Sequence, residues 1–394
     1  MRRTALAAAL FVLAACGGSP TATPTASASP SATASPTATP SATFPTPTPG
    51  GPTPPAPATV KCSSRIPARA TLALVTLRNT KGVVVRDLSN ISKPVSRCVI
   101  SGAGANLFRF INVNQISYIV TSSDGDGALY LVDLPIQHTS LIRAWTNEGS
   151  LYWVYAWSPD GKTLSYLSSN GDKVAWHLLS LAGDVTLSDL GSIPGRGVEP
   201  NNDDAMVGFS ADGKYVALEQ TLSNAASAPG QAPFQIVRLS DRKLVYSRTD
   251  GTMATWASNG ATFYFRTAVG VQAWVAPGGT IQTVIPQGFR WNHPWPSADQ
   301  TRIAYVDTDG KGNHFPGYVF LPNKQALRVS PRPRTGAAFL TSGLIWYAEE
   351  SVCRAQCSFG EPKLTGRTYI FDVHANTESV SIITAFFDSW PRIT

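Results

Sequence analysis

From Lys61 to the C-terminus, short apolar runs rich in Val, Ile, Leu, Tyr and Trp alternate with clusters of Gly, Asp, Asn and Pro. No stretch of useful length has helical periodicity, so the pattern is that of an all-β chain. One arrangement recurs: an aromatic residue, a polar turn containing Asp-Gly or Asn-Gly, then alternating apolar residues. Its clearest copies are Trp157-Ser-Pro-Asp-Gly-Lys-Thr-Leu-Ser-Tyr166 and Phe209-Ser-Ala-Asp-Gly-Lys-Tyr-Val-Ala-Leu218. Weaker copies begin at Phe110, Trp256, Trp295 and Phe339. The aromatic ends one strand facing the core, the Asp-Gly pair supplies a turn that tolerates the left-handed backbone, and the alternation after it is the next strand. Asp160 and Asp212 are therefore expected as turn formers rather than catalytic acids. A second strand signature follows each of the six copies, at residues 128–134, 174–180, 234–239, 271–275, 317–321 and 367–373, and stands ahead of the first of them at residues 82–88. The units are seven, about 40 to 60 residues apart, a period that suits four strands each.

The Ser-Pro-Asp-Gly-Lys turn and the Tyr-Leu-Val-Asp-Leu type of strand that follows it resemble the repeats of TolB-type β-propellers, relatives of the WD-repeat propellers. The resemblance covers most of residues 70–373 and is densest in the third and fourth units. It implies an all-β propeller of seven four-stranded blades, with six blades plus an outlying hairpin as the alternative. Residues 71–88 supply only one clear hairpin, so residues such as Ser379 to Phe387 are expected to complete the first blade and close the ring. The resemblance also implies protein partners at the cell envelope. The α/β domain of TolB has no counterpart here, so its transport role is not carried over.

The segment ahead of the repeats has a different pattern. Arg2 and Arg3 precede an unbroken apolar run over residues 5–15, too short for the roughly 20 residues of a membrane-spanning helix. It matches the apolar core of a signal peptide spanning residues 1–15. The run ends in Leu13-Ala14-Ala15-Cys16-Gly17, which resembles the lipobox of bacterial lipoproteins and implies acylation of Cys16 after cleavage. Two acyl chains supply anchoring that one cannot, at about 0.8 kcal/mol per buried methylene. Residues 17–59 are almost wholly Pro, Thr, Ser, Ala and Gly, and cannot bury enough apolar surface to offset their ordering entropy. A disordered tether over residues 16–59 is expected, reaching about 130 Å if extended as polyproline II. The propeller then occupies residues 60–394, and the location is extracytoplasmic, on the membrane or envelope.

Charge adds mainly exclusions. The formal net charge is +7, spread thinly over a chain of which 14% is charged, which argues against nucleic acid and against a charged membrane patch. Membrane contact is then through the lipid anchor only, and the chain is expected to be a monomer without cofactor. After Cys16 come Cys62, Cys98, Cys353 and Cys357, an even number in an exported chain. Of the three possible pairings, Cys62 with Cys98 and Cys353 with Cys357 are expected. A metal site on Cys353 and Cys357 lacks a second ligand pair. Asp307, Asp309 and Asn313 have the alternate spacing of calcium loops without the full ligand set, and turn chemistry explains them.

In a propeller, the connections between second and third strands share a face with the connections between blades. The long connections at residues 223–233, 307–316 and 349–366 should gather there, with Arg196, Trp291, His293, Trp295, His314 and Phe315 as the candidate binding residues. His177 lies in an apolar strand and is expected as a satisfied core residue. No Gly-x-Ser-x-Gly elbow, His-Glu-x-x-His or phosphate loop occurs, and no hydrolase domain follows the repeats. A non-enzymatic scaffold that binds a protein or cell-wall polymer is therefore expected. The alternative is a carbohydrate-binding or carbohydrate-active propeller that stacks sugars on exposed aromatics, a reading that fails if Trp291, His293 and Trp295 are buried.

Overall fold

Each apolar run is followed by a turn too short for a crossover, so successive strands pair antiparallel and each unit becomes one sheet. The computed structural model describes residues 53–146, 155–170, 173–180, 182–192, 205–220, 234–286, 295–309, 311–352 and 364–390. Among these there is no helix, and the strands form seven sheets. Blades 2 to 7 follow in chain order over residues 105–145, 155–192, 205–248, 252–286, 295–328 and 334–381, each with four strands in sequence order.

Blade 1 closes the ring. Its innermost strand is the C-terminal Ile383–Trp390, paired antiparallel with Leu72–Leu77. Val83–Asp87 and Val95–Ser101 follow outward. The closing strand lies slightly beyond the expected 379–387, because Thr377–Ser381 is already the outer strand of blade 7. Blade 1 also carries a fifth strand, Thr59–Cys62, on its outer edge. Its register sets Cys62 directly opposite Cys98, and the two are joined as the expected disulfide. Ordered packing starts ahead of this strand: the Tyr130 hydroxyl donates to the Pro55 carbonyl, and Ala58 is buried with its amide donating to Tyr118 Oη at 2.9 Å.

Seven apolar clusters fill the ring, one between each pair of neighbouring blades. The last joins Leu340 and Leu344 of blade 7 to Val75, Val84 and Ile383 of blade 1. Strands sandwiched between two other sheets are buried on both faces, which explains the low charge content. Each fully buried large side chain contributes about 1.5–3 kcal/mol.

The recurring turns have one chemistry. In Ser158 to Thr163 the Ser158 hydroxyl donates to Asp160 Oδ1 at 2.6 Å and accepts from the Thr163 amide at 2.9 Å. Asp160 Oδ1 also accepts the Lys162 amide at 3.1 Å, and Gly161 takes a positive φ of 69°. Ser210 and Asp212 repeat this in blade 4, and Ser297 and Asp299 repeat it in blade 6. These aspartates are turn formers. Neighbouring turns are tied together, as where Gly260 O accepts the Asp212 amide at 3.1 Å and Ser342 Oγ accepts the Asp299 amide at 3.1 Å.

One copy is displaced. Aligned on its Ser, the blade 6 turn places Pro296, not Trp295, in the buried position held by Trp157 and Phe209. A shift of one residue in a strand turns a side chain to the opposite face. Trp295 is accordingly half-buried, and its ring meets Phe386 of blade 1 edge-on at 5.9 Å.

Candidate functional site

The loop-rich face collects the ends of the second strands and the starts of the first and third. At blades 6 and 7 this brings together Arg334, which opens the first strand of blade 7 (Arg334–Thr341), and Glu349 and Glu350, which end its second (Leu344–Glu350). His314 and Phe315 begin the third strand of blade 6 (His314–Phe320). Residues far apart in sequence thus meet because the blade topology returns each strand to the same rim.

Arg334 is 2% exposed, an unusual burial for a guanidinium. Its Nη1 donates to Glu349 Oε1 at 3.0 Å, its Nη2 is 3.7 Å from Glu378 Oε1, and its guanidinium lies 4.1 Å from the Tyr369 ring centroid. Glu349 also accepts from the Thr365 hydroxyl at 2.7 Å and from Tyr369 Oη at 3.2 Å. The Thr365 hydrogen bond and the Arg334 charge hold the Glu349 carboxyl below the usual range, against the opposing effect of burial. Burial and the hydrogen bond to Glu378 push the Tyr347 phenol up.

Glu350 is different. Its side chain is 3% exposed, and Oε2 accepts the His314 amide at 3.3 Å. Its Oε1 lies 2.8 Å from His314 Nδ1, but the two are out of line for a hydrogen bond and neither atom has another partner. With Arg334 shared between Glu349 and Glu378, Glu350 Oε1 is an enclosed acceptor without a hydrogen bond, beside the part-exposed His314 ring. An unmet acceptor of this kind is costly, and a donor that displaced the ring would satisfy it.

Of the residues expected on this face, His314 belongs to the cluster. Phe315 is buried, with Arg328 4.3 Å above its ring, and Arg328 in turn pairs with Asp307 at 3.2 Å. Trp295 faces Phe386, and its Nε1 is enclosed without a partner. Cys16, Arg196, Trp291, His293, Cys353 and Cys357 lie outside the described residues. Asp309 accepts the amides of Lys311 at 2.8 Å and Asn313 at 3.0 Å, as a turn residue does. Arg334, Glu349 and Glu350 were missed by sequence reasoning; their signal was charged residues in otherwise strand-forming runs. A cleft of about 580 Å³ opens on the opposite face, lined among others by Cys62, Arg65, Ile66, Leu134 and Gln137. Its lining brings one charged group, Arg65, and no cluster of reactive side chains.

Fold and rim define a closed seven-bladed β-propeller with an N-terminal edge strand. No family model matches the chain, and no curated protein matches it in sequence. Among solved structures it is similar to prolyl endopeptidases, with a TM-score of 0.52 and 11% identity over 82% of this chain and 50% of that one. An oligogalacturonate lyase in complex with manganese gives a TM-score of 0.50 and 11% identity over 79% and 83% of the two chains. TolB from Acinetobacter baumannii gives 0.44 and 13% over 79% and 63%. The chain thus spans about half of the endopeptidase and under two thirds of that TolB.

These neighbours correct one expectation. The chain was expected not to be an enzyme, yet propellers of this fold occur in an endopeptidase and a lyase, so the fold leaves enzymatic activity open. The expectation rested on missing local motifs. A propeller can gather reactive groups from several strands and blades, and such a site leaves no contiguous signature.

Proposed function

We propose that the chain is an extracytoplasmic propeller, anchored through Cys16, that binds a protein or cell-envelope polymer at its loop-rich face. The observation that carries this reading is the Glu350 and His314 pair: an enclosed carboxylate oxygen without a hydrogen bond, beside a part-exposed imidazole on the face that bears the long connections. The opposite face differs: the Ser and Asp side chains of its turns bond within each turn, and neighbouring turns are tied to one another. The disulfide suits an oxidising compartment, and the apolar run ending at Cys16 suits export and acylation.

The test is capture of envelope proteins and a glycan array, using residues 53–394 as bait beside Glu350→Gln and His314→Ala. Losing a charged acceptor should weaken binding about 10- to 100-fold. Binding that survives both substitutions but is lost on Lys162→Glu or Lys214→Glu would move the site to the turn face. Glycans retained in place of proteins would select the carbohydrate reading. Labelled fatty acid should enter the full chain and not Cys16→Ser.

A further inference from the structure

Blade 3 holds a second polar chain, on the sheet face turned toward blade 2. Tyr166 on its second strand (Thr163–Asn170) and His177 on its third (Lys173–Ser180) are directly opposite, with rings stacked at 4.9 Å and 10°. Ser168, two residues beyond Tyr166, shares that face. Its Oγ lies 2.7 Å from His177 Nε2. On the outer strand (Gly183–Ser192), Asp184 places Oδ1 3.6 Å from His177 Nδ1. Its Oδ2 accepts from Arg143 Nη1 of blade 2 at 2.6 Å and from the Tyr166 hydroxyl.

The charge states agree with the geometry. Burial raises the Asp184 pKa, but the nearby His177 ring and the hydrogen bonds from Tyr166 and Arg143 outweigh it and bring it to about 2. An ionised Asp184 favours the tautomer with hydrogen on Nδ1, which leaves the Nε2 lone pair to accept from Ser168. Nucleophile and base are within hydrogen-bond reach, and the longer contact to the orienting carboxylate is of the kind that tightens on substrate binding. His177 is 16% exposed and Ser168 half-buried, so neither is sealed from solvent.

We propose that Ser168 is an activated nucleophile that cleaves small acyl esters, with His177 as general base and Asp184, Arg143 and Tyr166 as positioning residues. Ser168 Oγ bonds to the ester carbonyl carbon while its proton passes to His177 Nε2. The carbon–oxygen bond to the alcohol then breaks, and His177 returns the proton to the leaving alkoxide. Water adds to the acyl carbon, giving its proton to Nε2, and the Ser168 ester breaks to regenerate the hydroxyl and release the acid. The net reaction is ester plus water to acid plus alcohol, with no further reactant. Asp184 and Arg143 neutralise each other, so the cluster carries no net charge that would select a charged substrate.

The full chain is treated with a fluorophosphonate probe and mapped by mass spectrometry, with p-nitrophenyl acetate turnover followed in parallel. One adduct on Ser168 is expected, absent in Ser168→Ala. Formation should be about 100-fold slower in His177→Gln and Asp184→Asn, the size of a general-base contribution. The native rate should follow a pH profile that His177→Gln abolishes, which a structural hydrogen bond would not produce. Ser168→Cys, with thermal melting as a check of folding, should be alkylated by iodoacetamide faster than the same chain unfolded in denaturant. Labelling that persists in Ser168→Ala, no Ser168 adduct on the native chain, or a native rate equal to that of the unfolded chain would overturn the proposal.

Discussion

Between blades 4 and 5 the contact is aromatic. Phe234, Phe263 and Phe265 are fully buried beside Trp256, and Tyr246 stacks on Trp274 at 4.4 Å. A buried carboxylate there, Glu219, is held by the Ala254 amide at 2.8 Å. Between blades 6 and 7 the corresponding space holds Arg334, Glu349 and Glu378 together with Tyr347 and Tyr369. The first contact gains from every buried ring without needing exact partners. The second must offset the desolvation of three charges by hydrogen-bond geometry, which an apolar substitute of similar volume would not have to do. The ionic contact is therefore the weaker solution for stability and the better candidate for a role beyond packing.

The largest effects should separate the two by how they can be repaired. Arg334→Ala leaves Glu349 and Glu378 without the cation they share and should cost about 3–5 kcal/mol. Phe263→Ala leaves a cavity and should cost about the same. Chemical denaturation of residues 53–394 measures both. Adding Glu349→Gln to Arg334→Ala should recover about 1 kcal/mol or more, because the uncompensated charge is removed. No corresponding change rescues Phe263→Ala. If Arg334→Ala costs less than about 1 kcal/mol, the ionic contact is solvated and the comparison fails.

Next in size is the clamp on blade 1. Cys62 and Cys98 are 36 residues apart, and removing the bond by Cys62→Ser with Cys98→Ser should cost about 3–4 kcal/mol on the chain-entropy account. Hydrogen exchange should show the loss first in the edge strand Thr59–Cys62 and its neighbour Val95–Ser101, leaving the blade 4 and 5 contact protected. Uniform loss across all blades would mean that the ring opens as one unit. Smaller again is the recurring turn: Asp160→Ala deletes the acceptor for Ser158 and Lys162 and should cost about 1 kcal/mol, within one blade.

These cases show what the sequence made legible. The Ser-to-Asp turns, the alternation after them and the incomplete first unit were enough for seven blades closed by a C-terminal strand, because turn chemistry and period are local. Trp295 shows the limit: its blade's turn is offset by one residue from the aromatic, and the register flips which side chain is buried. The rim was out of reach for a different reason. His314 and Glu350 are 36 positions apart, on strands of different blades, and only the ring brings them together. Ser168, His177 and Asp184 are closer, and their signal was present: three polar residues on consecutive strands, all on the face of Tyr166. Finding it required the hairpin register, which composition does not supply.

Acid should sharpen the comparison most gently. Glu349 in the contact of blades 6 and 7, and Asp184 in the contact of blades 2 and 3, have carboxyl pKa values below their ordinary ones. A carboxyl depressed in the folded state contributes stability above its unfolded pKa and loses it as pH falls through the folded value. For Asp184 that window runs from 3.8 down to about 2. For Glu349 it begins at 4.5 and extends downward. The aromatic contact of blades 4 and 5 holds the depressed Asp250 beside Arg248, but that carboxylate is 57% exposed and solvent screens the pair. Hydrogen exchange at pH 5 and pH 3, corrected for intrinsic rates, should therefore lose protection in the strands around Glu349 and Asp184 before those around Phe263. Glu349→Gln should remove the acid sensitivity of blade 7 while leaving that of blade 3. Equal loss in all three contacts would show that acid acts through the net charge of the chain and not through these two carboxylates.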